Sequence, residues 1–206
     1  LGKGYFLQTG FPQGFEQPGN PIWDAGRRKA VTVLLAGGSS SGKSMAAQRM
    51  AVFLRKGEGR LFYAATMIPG DEEDRQRIRR HLEAREGWGF HTLETPFALT
   101  PPPDGFGPQD VVLLDSVTLL LCNHLYDGGG WEEQRLADHL FEREKGLGGL
   151  VLVSDDTFSD ALRYPDSVEQ YRRRLGKLHQ LLAEKAQLVV RFRAGLPEVY
   201  KGRWPL

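Results

Sequence analysis

"VTVLLAGGSSSGKS" (31–44) opens on an unbroken apolar run and closes on glycine, serine and lysine. A run that is apolar at every position, rather than at alternate ones, fits a strand buried on both faces of a parallel sheet. From Gly37 to Ser44 the chain matches G-x-x-x-x-G-K-[ST], set between that strand and a helical pattern that begins at Lys43. Gly37, Gly38 and Gly42 let the backbone curl, so that the N–H groups of Ser39, Ser40 and Ser41 face anionic oxygens at the positive end of the following helix. Lys43 is expected to reach the β- and γ-phosphates as an exposed ligand, and Ser44 to give its hydroxyl to magnesium. A site of this kind also uses an acid at the end of a neighbouring buried strand, and "VVLLD" (111–115) offers Asp115. P-loop residues touch phosphates rather than bases, so ATP and GTP both remain open as donors.

Working outward, "RLFYAAT" (60–66) reads as a second buried strand and "DEEDRQRIRRHLEAREG" (71–87) as a charged helix that starts on acids and stops at glycine. "TPPPDGFGP" (100–108) is a loop, because stacked prolines supply neither donors nor helical backbone. A third strand runs into an apolar helix over 110–127, a fourth strand covers 148–156, a helix spans about 166–186, and a last strand covers 186–195. Alternation of this kind predicts an α/β fold of P-loop NTPase type, with a mostly parallel central sheet and helices on both faces. Residues 1–30, rich in Gly, Pro and Gln with Phe6, Phe11, Phe15 and Trp23, read as an irregular arm, and 31–206 as the nucleotide-binding kinase domain.

At 206 residues one domain is the default. The charge is nearly balanced, 27 Lys plus Arg against 26 Asp plus Glu, so no global field marks a nucleic-acid or membrane binder. The single cysteine, Cys122 in an apolar run, excludes an internal disulfide and fits a core thiol in a reducing cytoplasm. No apolar run approaches the roughly 20 residues that span a bilayer.

Several segments together resemble the adenosylcobinamide kinase/adenosylcobinamide-phosphate guanylyltransferases of cobalamin synthesis. "GGSSSGKS" (37–44) resembles their P-loop, "YAAT" (63–66) their next strand end, and "DEEDRQRIRRHLEAR" (71–85) their helix with an R-I-x-x-H pattern. "FHTLE" (90–94), "LLDSVTLLLCN" (113–123), "LVSDD" (152–156) and the segment 172–202 follow in the family's order. The resemblance implies phosphorylation of the hydroxyl on the aminopropanol arm of adenosylcobinamide, then transfer of GMP from GTP to that phosphate through a guanylylated histidine. It implies Mg2+, a nucleoside triphosphate and a corrinoid as ligands, and a homotrimer. By position it places Gly37 to Ser44 on the triphosphate, Thr66, Met67, Ile68, His81, Leu82, Glu83 and Ala84 around the nucleotide, and Glu94 and Asp115 on nucleotide or metal.

One departure bears on chemistry. The family's nucleophilic histidine precedes the histidine of R-I-x-x-H, and in "RIRRH" (77–81) that place is held by Arg80. Arginine stays protonated and offers no lone pair, so Arg80 cannot form a phosphoramidate; its functional reading is a phosphate clamp. His81 is the candidate substitute, although neighbours on a helix point about 100° apart, and His91 is a remoter one. The segment 154–167 also departs from the family's pattern, with Asp155 and Asp156 keeping acidity there. Phosphoryl transfer by Lys43, Ser44 and Asp115 survives the loss of that histidine. The alternatives are a relative that binds GTP or ATP without turnover, and a P-loop kinase for another small molecule.

Overall fold

The computed structural model describes residues 30–83, 85–158 and 162–206; the arm at 1–29 and Ala84, both assigned roles from sequence, lie outside the described residues.

Alternate residues of the 31–37 run serve two different cores, and its one polar member, Thr32, is buried and donates its hydroxyl to Glu144 Oε1 at 2.7 Å. Strand β1 (Val31–Gly37) sends Leu34 into a cluster with Leu114, Leu120, Leu152 and Leu178, while Val33 and Leu35 enter a second cluster with Met50, Ala51 and Val153. The second cluster is closed by helix α1 (Lys43–Leu54), which follows the P-loop directly. Strand β2 (Leu61–Ala65) is followed by α2 (Glu72–Glu83), which buries none of its residues and therefore lies on the surface as a charged cover rather than a packed layer. Glu72 pairs there with Arg75 and Arg79. Arg77, four residues after Glu73, forms no ion pair with it among the described residues and lines the cavity beside Lys43 and Ser44 instead.

Three elements were not read from the sequence. β3 (Phe90–Glu94) is a short edge strand with His91, Thr92 and Glu94 exposed. After β4 (Val111–Asp115) and α3 (Val117–Tyr126) comes α4 (Glu133–Glu144), whose Leu136, Ala137, Leu140 and Phe141 are buried at helical spacing within a charged stretch. β5 (Gly149–Asp155), α5 (Asp166–Lys185) and β6 (Leu188–Arg193) agree with expectation, but β6 is not the last strand. Ala194 and Gly195 both take positive φ (51° and 81°), which turns the chain into the antiparallel β7 (Leu196–Lys201). Every residue of β7 is exposed, which is how a strand beginning Leu196–Pro197 escapes a burial pattern.

The seven strands run in the order β3-β2-β4-β5-β1-β6-β7, parallel except for β7. The fold is therefore the mostly parallel, doubly covered α/β sheet that the strand–helix alternation predicts. β1 lies between β5 and β6, with Val31 opposite Gly149 and Val33 opposite Leu188. Asp110 ties the entries of β2 and β4 together: it accepts from Arg60 N (2.8 Å), Arg60 Nη2 (2.6 Å) and Gly107 N (2.8 Å). Burial opposes its charge, yet those donors outweigh it and hold the carboxyl below the usual carboxylate range. Cys122 is partly rather than fully buried. Among the described residues no helix is long and apolar enough to cross a membrane.

Candidate active site

The strand order gathers the carboxyl ends of β1, β2, β4 and β5 at one edge of the sheet, where ligands of open α/β sheets bind. The P-loop rises from β1 under two constraints. A Cβ at Gly37 would come within 2.9 Å of the Phe192 carbonyl, and Gly42 takes φ 90° as the N-cap of α1. Among the described residues, nothing lies within 4 Å of where a Gly38 Cβ would stand. Ser40 takes the left-handed region too (φ 55°), and Ser41 is buried with its hydroxyl unpartnered among the described residues. Ser39 is exposed at the tip.

Lys43 is buried, 8% exposed, which corrects the expectation of an exposed ligand. Its ammonium donates to the Gly38 carbonyl at 3.1 Å and pairs with Asp155 Oδ1 at 2.9 Å. The physical reason is the P-loop itself: the side chain folds back inside the curl, so the loop shields it. Asp155 was noted in the sequence only as residual acidity. It ends β5, and the β1–β5 register sets it opposite Gly37, a placement that only strand order reveals. Thr118 Oγ1 accepts the Asp155 N–H (2.7 Å) and lies 3.1 Å from Ser154 Oγ, which in turn lies 2.6 Å from His179 Nε2. A part-buried polar chain from α3 through β5 to α5 thus fixes the backbone that carries the Lys43 partner.

Lys43, Ser44, Met67, His81 and Asp115 line a single cavity of about 80 Å³ with Asp155. Tyr63 O–H donates to Asp115 Oδ2 at 2.9 Å; burial first, and then the Asp115 charge, push the phenol above its ordinary range, so it stays a donor. His81 is half-buried. Burial, and then the charges of Arg77, Arg85 and Arg80, hold it below the usual imidazole value against an upward pull from Asp115. It is therefore neutral near pH 7, with a lone pair.

Other sequence-derived candidates fall elsewhere. Thr66 is buried and structural, donating Oγ1–H to the Ser116 carbonyl and accepting the Ser116 N–H. Ile68, Leu82, Glu83 and Glu94 are exposed and do not line the cavity. Arg80 is exposed as well, its Nε donating to the Gln76 carbonyl of its own helix, and it does not line the cavity. Tyr63 and Arg85 line the cavity without having been singled out as site residues. Their signal lay in strand adjacency and in the exit of α2, neither of which one sequence displays.

A hydroxyl and carboxylate oxygens converging beside a P-loop are hard donors few in number, a set that suits magnesium, which keeps several of its waters. Fold and site together define an α/β protein with a P-loop at the carboxyl edge of a parallel sheet. The sequence profile of the cobinamide kinase/cobinamide phosphate guanyltransferase family matches residues 33–199, most of the chain, and the protein belongs to that family. The bifunctional adenosylcobalamin biosynthesis protein CobP of Pseudomonas aeruginosa is 33% identical over 177 residues, spanning 82% of this chain and 96% of the relative. The corresponding protein CobU of Escherichia coli is 28% identical over 175 residues, 77% of this chain and 93% of the relative. Among solved structures, the flagellar accessory protein FlaH of Methanocaldococcus jannaschii matches at 16% identity and a TM-score of 0.48, over 84% of this chain and 79% of that one.

Proposed function

We propose that this chain is a kinase of cobalamin synthesis that moves the γ-phosphoryl group of ATP or GTP to the hydroxyl of adenosylcobinamide. The observation that carries the reading is Lys43, held between the Gly38 carbonyl and Asp155 in the cavity that also contains Ser44 and Asp115. In the step, the acceptor oxygen bonds to the γ-phosphorus as the bond to the β–γ bridging oxygen breaks, and the diphosphate leaves. Lys43 and the amides at the start of α1 hold the charge that builds on the phosphoryl oxygens. Asp155, facing the same cavity, takes the hydroxyl proton. Ser44 and Asp115 would hold magnesium, which supplies positive charge to the phosphates when bound. The enzyme is read as cytoplasmic, and the exposed apolar side chains of β7, Leu196, Val199 and Tyr200, support assembly with further copies of the chain. The test is mass analysis of adenosylcobinamide incubated with protein, magnesium and each nucleotide: one phosphate is expected on the acceptor. Bound nucleotide without product would leave a binding protein, and product on a different alcohol a different kinase.

A second activity, guanylyl transfer, is favoured by one finding: His81, not Arg80, turns into the cavity as a neutral imidazole. Its nitrogen would attack the α-phosphorus of GTP, forming the N–P bond as the α–β bridging bond breaks and pyrophosphate departs. Intact mass after incubation with magnesium and GTP is expected to show an acid-labile GMP adduct that His81→Asn abolishes. Absence of the adduct in the unmodified protein would leave the kinase activity alone.

A further inference from the structure

Arg85 stands just beyond α2, its N–H bonded to the Leu82 carbonyl at 3.0 Å. It is 7% exposed, an unusual condition for a guanidinium. Its Cζ lies 3.4 Å from the centroid of the Tyr63 ring, and Tyr63 is itself locked by its bond to Asp115. Arg85 faces the cavity that contains Lys43, Ser44 and Asp115, yet its Nη1 is buried and has no acceptor among the described residues. The nearby acids are committed elsewhere, Asp115 to Tyr63 and Asp155 to Lys43. An arginine cannot shed its proton to escape the cost of this position. A buried N–H of a permanent cation, on a side chain that lines the cavity beside the P-loop and without an acceptor among the described residues, is a donor suited to a ligand oxygen.

We propose that Arg85 is a phosphate-binding residue of this site, donating Nη1–H to a non-bridging oxygen of the terminal phosphoryl group of the bound nucleoside triphosphate. The P-loop and Lys43 approach that group from β1 and α1. Arg85 approaches from the wall formed by β2 and the end of α2, opposite in origin and contributed by separate elements. Stacking on Tyr63 fixes the guanidinium plane while leaving its edge for the oxygen. The sequence had placed the phosphate cation at Arg80; the geometry moves that role five residues along, to the residue whose side chain enters the cavity. The inference rests on the kinase reading above.

The test is equilibrium binding of a magnesium complex of a β,γ-imido nucleoside triphosphate and of the matching diphosphate to the unmodified protein, Arg85→Lys and Arg85→Ala. A contact to the terminal phosphoryl group alone should lower triphosphate affinity about 10-fold or more in Arg85→Ala while leaving diphosphate affinity within about twofold. Arg85→Lys, which keeps the charge and much of the stem, should fall between. Thermal unfolding without nucleotide reports separately on lost packing against Tyr63. Equal loss for both nucleotides, or loss of melting temperature alone, would make Arg85 structural and overturn the proposal. Loss confined to adenosylcobinamide phosphate would move Arg85 to the acceptor's phosphate and overturn it equally. Failure of the unmodified protein to bind either nucleotide would overturn the kinase reading and this inference together, whereas unchanged binding in Arg85→Ala would overturn this inference only.

Discussion

Replacing Lys43 by alanine is expected to lower phosphoryl-transfer turnover by at least about 10²- to 10³-fold, the scale seen when one preorganised donor to developing charge is removed. Lys43 is the single lysine of the P-loop (37–44), so no neighbouring ammonium shares the expected loss. The effect on folding is expected to be small, at about 1 kcal/mol or less, because the abandoned partner is not deeply buried. Asp155 has a side chain 37% exposed and can rehydrate. The pair of measurements is turnover with adenosylcobinamide and urea unfolding of the same variant. Turnover within a few fold of the unmodified protein would remove Lys43 from the chemistry. A large fall in stability would show instead that the Lys43–Asp155 pair holds the P-loop in place.

His179 is expected to make the protein acid-labile between about pH 6.5 and about pH 4. It packs on α5 against Ser154 and the Phe158 ring, and desolvation there pushes its imidazole down to about 4, against the weaker upward pulls of Asp156 and Asp155. Arg191, paired with Asp156 on β6, adds positive charge to the same pocket. In the unfolded chain the ring protonates near its ordinary value of about 6.5. Above that pH neither state carries the proton, and the folded state loses nothing. As pH falls below about 6.5 the unfolded state gains a proton that the folded state refuses, and the loss grows until the folded value near 4 is reached. At about pH 4.5 the accumulated cost is on the order of 2–3 kcal/mol. Urea unfolding at about pH 8 and about pH 4.5 should show that loss in the unmodified protein beyond what His179→Asn shows, because the variant keeps every carboxylate but not the imidazole. Parallel pH dependence in the two proteins would mean that His179 is protonated in the folded state. The expected loss reaches the active site as well, since Ser154 and the backbone of Asp155 belong to the same polar chain.

The extent to which these sites were legible follows from where their information resides. The P-loop, its strand and its helix were readable because local sequence determines them: glycines at constrained positions, a run apolar on both faces, and a lysine at a fixed offset. Asp115 was readable as a strand-end acid. Asp155 was not assigned, because its approach to Lys43 depends on β5 being the neighbour of β1, and strand order is a long-range property. Arg80 and Arg85 look alike in a helix dense with arginine, and only the exit of α2 decides which one turns inward. α4 carried a usable helical period in Leu136, Ala137, Leu140 and Phe141, diluted by charge. β7 carried none, since an exposed antiparallel edge strand needs no apolar alternation, and its clue was the Ala194–Gly195 turn.

The pairing of Val31 with Gly149 has a consequence for how the protein is made. The strand that launches the P-loop joins a partner synthesised more than a hundred residues later, and its other neighbour, β6, comes later still. During translation the complete signature Gly37–Ser44 therefore leaves the ribosome long before the strands that shape it exist. Pairings of such long range close slowly, because the intervening chain must first be ordered. A nascent or truncated chain ending before residue 149 would carry the whole motif and still lack Asp155, the β5 ladder and the Phe192 carbonyl against which the loop is formed. Affinity for nucleotide should consequently arise late and abruptly along the growing chain, so that ligand capture reports completion of the sheet rather than presence of the motif.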